Sequence, residues 1–286
     1  MALLRGSAVD RHYRLSTVYA VKRFQRSHRL RVTGRTNQRT WDAVYRAILR
    51  SRSAPPLVLG HRGAVGPSAP ENTMASMRYA VESADVLEFD LRLTADGVFV
   101  LMHDHNLDRT TDCAGPVELQ TLEQLRAQCT VSGEPIPTFD EVAAFAADHA
   151  ASIAPELKVE SLTDEDLARF ADVIRSHGLT GRTFVQSFYP SLFPRLRAQD
   201  ADLALVYLTA PTTSPDVVKS AGVAIAGLNR RGLTTAIVAA YQRAGLQVWA
   251  WTAYTTADLT SVWQMRVNGV FTDIPVEAHA LYAATS

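Results

Sequence analysis

Residues 86–104 read VLEFDLRLTADGVFVLMHD, two apolar runs joined by a tight-turn sequence. Glu88 and Asp90 are two positions apart, so on a strand their side chains point to the same face. The turn sequence at residues 94–97 predicts a hairpin. Centred between the last two residues of that turn, the hairpin would place Asp90 opposite His103. This stretch therefore predicts that carboxylates and a histidine converge through local structure alone.

The rest of the body alternates short apolar runs with amphipathic segments of helical spacing. The predicted strands are Leu57–Gly60, Val86–Asp90, Val98–Met102, Ser152–Leu157, Thr183–Ser187, Leu203–Tyr207, Val223–Leu228, Gln247–Trp251 and Gly269–Thr272. The predicted helices include Ala75–Ser83, Thr163–Ser176, Pro190–Arg197, Thr234–Ala244 and Thr256–Met265. About eight such units over roughly 230 residues favour a closed parallel barrel over an open sheet. The predicted fold is α/β, a TIM-type (β/α)₈ barrel with a small N-terminal helical segment.

A linker precedes this body. The sequence SRSAPP at residues 51–56 ends in two prolines that cannot continue a helix. We therefore expect a small module over residues 1–53 and the barrel over residues 54–286. The predicted helices of the module span residues 16–28 and a segment from near Asn37 or Thr40 that carries Trp41, Val44, Tyr45 and Ile48.

The formal net charge of zero hides an uneven distribution. Residues 1–53 hold thirteen Lys and Arg against two Asp and Glu. Such a basic segment suits an anionic partner such as a wall polymer, a membrane surface or a nucleic acid, although a solvated helical face has the same composition. No recognised nucleic-acid motif accompanies the charge, so we expect no nucleic-acid partner. No apolar run is long enough for a transmembrane helix.

The two cysteines are Cys113 and Cys129. A bridge between them would close a loop of roughly 15 residues and stabilise the fold by about 3 kcal/mol in the chain-entropy model. A disulfide would indicate an oxidising compartment, and two unpaired thiols are the alternative. Residues 1–14 lack the apolar region of a signal peptide, so we expect none there. We expect an extracellular or cell-wall-associated protein, or otherwise a cytoplasmic one.

Three carboxylates follow apolar strands: Glu88, Asp90 and Glu156. Because no cysteine or histidine cluster at zinc spacing accompanies them, they favour one hard divalent cation, Mg²⁺ or Ca²⁺. An interior ion pair between Glu156 and Lys158 is the alternative for those two residues.

Two histidines, His61 and His103, also follow apolar strands, and such a pair suits acid–base catalysis at a bound anion. Either one alone could be structural. Arg62 and Lys158 can hold phosphate oxygens. Glu71 could orient Arg62 or a histidine.

As an ordered set, these residues resemble the glycerophosphodiester phosphodiesterase family over residues 57 to 280. The matching motifs are His61-Arg62-Gly63, Pro70-Glu71-Asn72-Thr73, Glu88-Phe89-Asp90, Thr94-Ala95-Asp96-Gly97, His103-Asp104, Arg109-Thr110-Thr111, Pro137-Thr138-Phe139, Glu156-Leu157-Lys158, Ser187-Phe188, Trp251-Thr252 and Thr272-Asp273-Ile274-Pro275. The resemblance implies a TIM-like barrel that cleaves glycerophosphodiesters to glycerol phosphate and an alcohol. Residues 106–135 would be an insertion that shapes the substrate site.

The resemblance also implies roles for single residues. A divalent ion would be held by Glu88, Asp90 and Glu156, and acid–base roles would fall to His61 and His103. Arg62, Lys158 and Trp251 would contact the substrate and its phosphate. Phospholipase D-type enzymes, including lysophospholipase D, share the barrel and both histidines and are the nearest alternative.

The N-terminal segment resembles a peptidoglycan-binding helical module. The matching stretches are residues 20–26, 30–34 and 39–44. They cover the second half of such a module, so residues 10–50 would either bind the cell wall or an anionic wall polymer or be a docking remnant. A non-catalytic wall-binding protein is the alternative from another functional class.

Overall fold

The computed structural model describes residues 15–37, 39–40, 43, 55–66 and 69–285. Its centre is a closed barrel of eight parallel strands in the order β1, β2, β6, β7, β8, β9, β10, β11, with β1 pairing to both β2 and β11. The barrel strands are β1 Leu57–Gly60, β2 Val86–Leu93, β6 Ser152–Leu157, β7 Phe184–Ser187, β8 Ala204–Thr209, β9 Ile225–Asn229, β10 Gln247–Ala253 and β11 Gly269–Thr272. This arrangement confirms the predicted TIM-type barrel.

Helices connect the strands, and most of them begin at a side-chain cap. They are α1 Leu15–Ser27, α2 Met74–Ser83, α3 Leu122–Gln128, α4 Phe139–Asp148, α5 Asp164–Ser176, α6 Leu192–Gln199, α7 Pro215–Ser220, α8 Thr235–Arg243, α9 Thr256–Gln264 and α10 Pro275–Thr285. Reciprocal capping boxes begin α2 at Thr73, α4 at Thr138 and α5 at Thr163. No helix among these described segments is long and apolar enough to cross a membrane.

The barrel interior is layered, because inward-facing positions repeat every second residue along a strand. The lower layer is an apolar cluster that includes Leu59, Val86, Ala154, Phe184, Trp249 and Phe271. Two residues further along the chain come His61, Glu88, Glu156, Gln186, Trp251 and Asp273. The strand periodicity therefore sets a polar mouth on an apolar floor, at the carboxyl ends of the strands.

The predicted hairpin forms, but its predicted register is wrong by one residue. Strand β3, Phe99–Leu101, pairs antiparallel with β2, and Leu91 lies opposite Leu101. The connecting loop has an odd number of residues, since the Thr94 amide donates to the Val98 carbonyl at 2.9 Å. Continuing this register places Asp90 opposite Met102 rather than His103. Strand β3 lies outside the closed barrel, so the hairpin does not interrupt the parallel sheet.

The N-terminal segment contains the first predicted helix, as α1. Buried Gln25 joins this helix to the turn that follows, because its Oε1 accepts from the amides of Thr33 and Gly34, both at 2.9 Å. The hydroxyl of Thr36 donates to the Gly181 carbonyl of the barrel. The second predicted helix is described only at residues 39, 40 and 43. Its core residues Trp41, Val44, Tyr45 and Ile48, and linker residues 51–54, lie outside the described residues.

Candidate active site

A cavity of about 290 Å³ opens at the polar mouth of the barrel. Among the described residues, seventeen line it: His61, Arg62, Glu88, Asp90, His103, Glu156, Lys158, Gln186, Phe188, Leu208, Asn229, Arg230, Arg231, Trp251, Thr252, Tyr254 and Phe271. The predicted catalytic, metal-binding and phosphate-binding residues all lie in this lining. Glu71 is not part of the lining, but it contacts one of its members. The structure thus brings together residues from both ends of the barrel sequence.

The three predicted metal ligands form one buried cluster. One carboxylate oxygen each of Glu88, Asp90 and Glu156 lie within 4.8 Å of one another. The register of the sheet explains the cluster, since neighbouring strands β2 and β6 place Asp90 beside Glu156. All three side chains are buried. Three buried acidic groups this close repel one another unless a cation or protons neutralise them.

The pKa values of the cluster show this repulsion. Burial, reinforced by the charge of Asp90, raises the pKa of Glu88 well above its usual range. The same two causes raise the pKa of Glu156 to about 7. Burial would also raise the pKa of Asp90, but Lys158 and Arg62 outweigh it and hold that pKa below its usual range. A hard divalent cation would take the place of these protons, and the cluster has the oxygen donors that it requires.

Neighbouring polar groups fix two of these carboxylates. Glu88 accepts from the Arg62 amide at 2.7 Å and from Gln186 Nε2 at 2.8 Å. Asp90 Oδ2 accepts from Asn72 Nδ2 at 2.9 Å. The Oε1 atom of Gln186 is buried without a hydrogen-bond partner among the described residues. That spare acceptor is a second feature that fits a cation or one of its water ligands.

Each histidine of the site is held through Nδ1 by a carboxylate. His61 Nδ1 lies 2.7 Å from Asp273 Oδ1, and His103 Nδ1 lies 2.6 Å from Asp104 Oδ1. A carboxylate on Nδ1 favours the tautomer with its proton there, so Nε2 is the nitrogen left for proton transfer. Burial lowers the pKa of His103, and nearby Lys158 adds to the effect while Asp90 opposes it.

An ionic chain joins Arg62 to one histidine of the site. Arg62 Nη1 donates to Glu71 at 2.8 Å. Arg109 donates to both oxygens of the same Glu71, at 2.8 and 2.7 Å, and to Asp104, which holds His103. Glu71 therefore orients Arg62 directly and reaches the histidine only through Arg109. The sequence motif contained Arg109, but nothing in the pattern indicated this role.

The backbone at the first motif is shaped to aim Arg62. Arg62 has a φ of 52°, in the left-handed region, and Gly63 has a φ of 85°. A Cβ at Gly63 would lie 2.2 Å from the Ser76 hydroxyl oxygen, so only glycine fits. Ser76 in turn donates to the Arg62 carbonyl at 3.1 Å. This turn directs the Arg62 amide at Glu88 and its side chain at the mouth.

Lys158 forms an ion pair with Glu156, which was the alternative prediction for these two residues. Its Nζ lies 3.0 Å from Glu156 Oε1 and 3.6 Å from Asp90 Oδ1. The pair lies in the lining of the cavity, so Lys158 can serve both the carboxylates and a bound anion.

The insertion after His103 has a small core of its own. Cys113 and Cys129 form a disulfide bond in the structure. Their sulfur atoms pack with a cluster that includes Leu107, Val117, Leu125, Val131 and Ile136. The ribbon of β4, Thr130–Val131, and β5, Glu134–Pro135, completes the segment. This insertion carries Arg109 and so supports the ionic chain.

The opposite side of the mouth carries aromatic rings and two arginines. Phe188 is 41% exposed and Tyr254 is 51% exposed, and the Phe188 ring lies edge-on to Trp251. The loop after β9 supplies Arg230 and Arg231. Apart from Trp251, the sequence pattern did not predict these as site residues. Their position at the end of a barrel strand was the signal that could have indicated them.

Two family models match the chain. Residues 61–277 match the model described as "Glycerophosphoryl diester phosphodiesterase family". Residues 3–44 match the model described as "Putative peptidoglycan binding domain". The two matches lie on either side of the predicted linker.

Similar proteins share the first of these descriptions. The chain is 33% identical over 168 residues to glycerophosphodiester phosphodiesterase 1 of Homo sapiens, covering 55% of this chain and 49% of that protein. It is 27% identical over 233 residues to the glycerophosphodiester phosphodiesterase of Caldanaerobacter subterraneus subsp. tengcongensis, covering 77% and 94%. A solved Oleispira antarctica phosphodiesterase, in complex with the product sn-glycerol-3-phosphate, superimposes with a TM-score of 0.74 at 26% identity, covering 81% and 98%.

Proposed function

The chain belongs to the glycerophosphoryl diester phosphodiesterase family, and from this premise we propose that it hydrolyses glycerophosphodiesters to glycerol phosphate and an alcohol. The observation that carries the proposal is one cavity with three clustered carboxylates, two oriented histidines, an arginine and a lysine. That combination can bind a cation and a phosphodiester together. A wall-binding module without catalysis would not need it.

We assign the cation site to Glu88, Asp90 and Glu156. The raised pKa values of Glu88 and Glu156 and the spare acceptor on Gln186 support this assignment. Oxygen-only donors favour Mg²⁺ or Ca²⁺. When bound, the cation would supply positive charge next to the phosphoryl oxygens.

Arg62 and Lys158 bind the phosphodiester in this proposal. Both side chains reach the cavity from beside the carboxylates. A guanidinium and an ammonium group there stabilise the charge that grows on the phosphoryl oxygens during substitution at phosphorus. The hydrogen bond from Arg62 to Glu71 fixes the guanidinium before substrate arrives, so the Arg62 side chain loses little conformational freedom when the substrate binds.

His61 and His103 exchange the protons of the reaction. One Nε2 takes a proton from the attacking group, which is a water molecule or the neighbouring hydroxyl of the glycerol. In the second case a cyclic phosphate forms, and water then opens it to glycerol phosphate. The other histidine gives a proton to the oxygen of the departing alcohol. Asp273 and Asp104 keep each ring in the orientation that leaves Nε2 facing the cavity.

An assay of glycerophosphocholine with coupled detection of glycerol phosphate tests this function. We expect turnover by the full chain, loss of turnover in EDTA and recovery when Mg²⁺ or Ca²⁺ is added back. A parallel reaction with a lysophospholipid distinguishes the phospholipase D-type alternative. Absence of glycerol phosphate from every diester, with either cation present, would contradict the proposal.

We further propose that residues 10–50 attach the enzyme to an anionic wall polymer outside the cytoplasm. The match of residues 3–44 and the disulfide support this location. Arg23, Arg26, Arg29, Arg31 and Arg35 are all exposed on this segment. Cosedimentation of the full chain with purified cell walls should occur at low salt and weaken in the double variant Arg26→Glu, Arg31→Glu. Equal sedimentation of both proteins would contradict the attachment.

A further inference from the structure

The loop that follows β9 places a free positive charge on the cavity wall. Arg231 lines the cavity, and its side chain is exposed and has no ion pair among the described residues. Its backbone amide donates to Asn229 Oδ1 at 2.9 Å, which holds the loop in a turn. Arg231 therefore lies on a hydrogen-bonded turn in the cavity wall.

The neighbouring arginine has its charge compensated. Arg230 Nε donates to the Thr252 carbonyl at 2.7 Å, and its Nη1 lies 2.8 Å from Asp258 Oδ1. Arg230 thus ties the loop to β10 and α9 and contributes little net charge to the cavity. The two adjacent arginines differ in this respect, and only Arg231 has a charge left for a ligand.

The barrel topology places this charge across the mouth from the acidic cluster. Strand β9 is the fourth neighbour of β2 in either direction around the eight strands, so it lies diametrically opposite β2. Strand β2 carries Glu88 and Asp90, where the reacting phosphate would be held. A diester held there has two organic arms, and an arm that extended toward β9 would reach the wall that carries Arg231. Glycerol has no charge for a guanidinium to bind, so a matched partner for Arg231 would have to lie on the alcohol arm.

We propose that Arg231 binds an anionic group, a carboxylate or a second phosphate, on the alcohol side of the diester. This inference rests on the proposed function and names its substrate class: glycerophosphodiesters with an acidic alcohol group. The planar guanidinium can hold such a group through two parallel hydrogen bonds. The same charge disfavours a quaternary ammonium group, even though Phe188, Trp251 and Tyr254 offer aromatic surface nearby.

A matched pair of substrates isolates this interaction. Glycerophosphoserine differs from glycerophosphoethanolamine by one carboxylate, and both release one glycerol phosphate per cleavage. We expect the wild type to have a kcat/KM about two- to fivefold higher for the serine diester, the size of one solvent-exposed ion pair, with the difference mainly in KM. Added salt should reduce this ratio.

The variants are Arg231→Gln, Arg231→Lys and a control, Arg243→Gln, at the end of α8 and outside the cavity lining. Arg231→Gln should bring the ratio close to one, Arg231→Lys should keep part of it, and Arg243→Gln should keep all of it. Cleavage of both diesters at equal kcat/KM by the wild type, or an unchanged ratio in Arg231→Gln, would overturn this inference and leave the proposed function standing. If the wild type cleaves neither diester, the proposed function fails and this inference fails with it.

Discussion

The two halves of the barrel mouth are built differently. On β1, β2 and β6, each functional side chain has fixed partners: Asp273 holds His61, Gln186 holds Glu88 and Asn72 holds Asp90. On the side of β7 to β10, Gln186 belongs with these fixed groups, but the cavity is otherwise lined by exposed rings and by Arg231, which has no ion pair among the described residues.

The difference indicates that the two halves of the mouth have separate roles. The first half has its geometry fixed before substrate arrives, as proton transfer and charge stabilisation require. Apart from the contacts of Gln186 and Arg230, the second half has few internal constraints among the described residues, so it can change with the alcohol group without disturbing the chemistry. Substitutions in the two halves should therefore have effects of different size and kind.

The largest effect should come from the two histidines. We expect His61→Ala and His103→Ala each to lower kcat at least ~10²-fold, because each removes a proton-transfer group. Steady-state kinetics on glycerophosphocholine measures this loss. His105→Ala is the matched control, since His105 is 61% exposed, pairs with Glu118 and lies outside the cavity lining. If both His61→Ala and His103→Ala kept a kcat near that of the wild type, the first half of the mouth would not carry out the proton transfer.

The second-largest effect should come from Arg109, and it tests whether the ionic chain helps to fix the first half of the mouth. Arg109→Ala should lower kcat about 10- to 100-fold, because Asp104 and Glu71 lose the group that orients them. Arg109→Lys should recover part of the loss. Arg126→Ala provides the comparison, since Arg126 also lies on the insertion and pairs with Glu141 at 2.6 Å, away from the cavity. Equal kinetic effects of Arg109→Ala and Arg126→Ala would show that the insertion acts only through stability.

The disulfide should affect stability more than chemistry. Replacing Cys113 and Cys129 by serine opens a loop with a sequence separation of 16 residues. We expect the free energy of unfolding to fall by about 3 kcal/mol, measured by urea denaturation at neutral pH. Activity at low denaturant should fall less than in Arg109→Ala. A stability equal to that of the oxidised protein would contradict the expected contribution of the bridge.

The smallest effect concerns Asp104 in acid. Burial would raise the pKa of Asp104, but hydrogen bonds from Arg109 and His103 lower it to about 2 from the ordinary 3.8. A carboxyl with a depressed folded pKa stabilises the fold above its unfolded pKa and loses that contribution as the pH falls from 3.8 toward about 2. Unfolding midpoints of Asp104→Asn should therefore fall less steeply with acid than those of the wild type. The control Asp148→Asn, on an outer helix, should show the same dependence of the unfolding midpoint on pH as the wild type. The same dependence in Asp104→Asn would contradict the stabilising role of the Asp104 carboxylate.

The sequence predicted the barrel because strand periodicity and strand spacing are local properties. The same periodicity placed Glu88 and Asp90 on one face of a strand, and Glu156 was predicted at the same end of the barrel because it ends a later strand. The structure clusters all three. The hairpin register failed because one extra loop residue shifts the pairing by one position.

The sequence could not predict most of the hydrogen-bond partners in the site, because these contacts depend on the closed barrel rather than on the local pattern. His61 and Asp273 are 212 residues apart in sequence, and Gln186 and Glu88 are 98 apart. The role of Arg109 depends on where the insertion folds back. The sequence did not predict Arg231 as a site residue, because a charged residue in a loop is usually solvated. Only the structure shows that this loop lines the cavity.

The most direct test is anomalous diffraction from crystals soaked in Mn²⁺, which substitutes for Mg²⁺ or Ca²⁺ at oxygen sites. The expected result is one strong peak at the barrel mouth, within bonding distance of an oxygen from each of Glu88, Asp90 and Glu156. Crystals of Asp90→Asn should lose that peak. A fully loaded wild-type crystal with no peak there, or with its only ion elsewhere, would contradict the assignment of the acidic cluster as the metal centre.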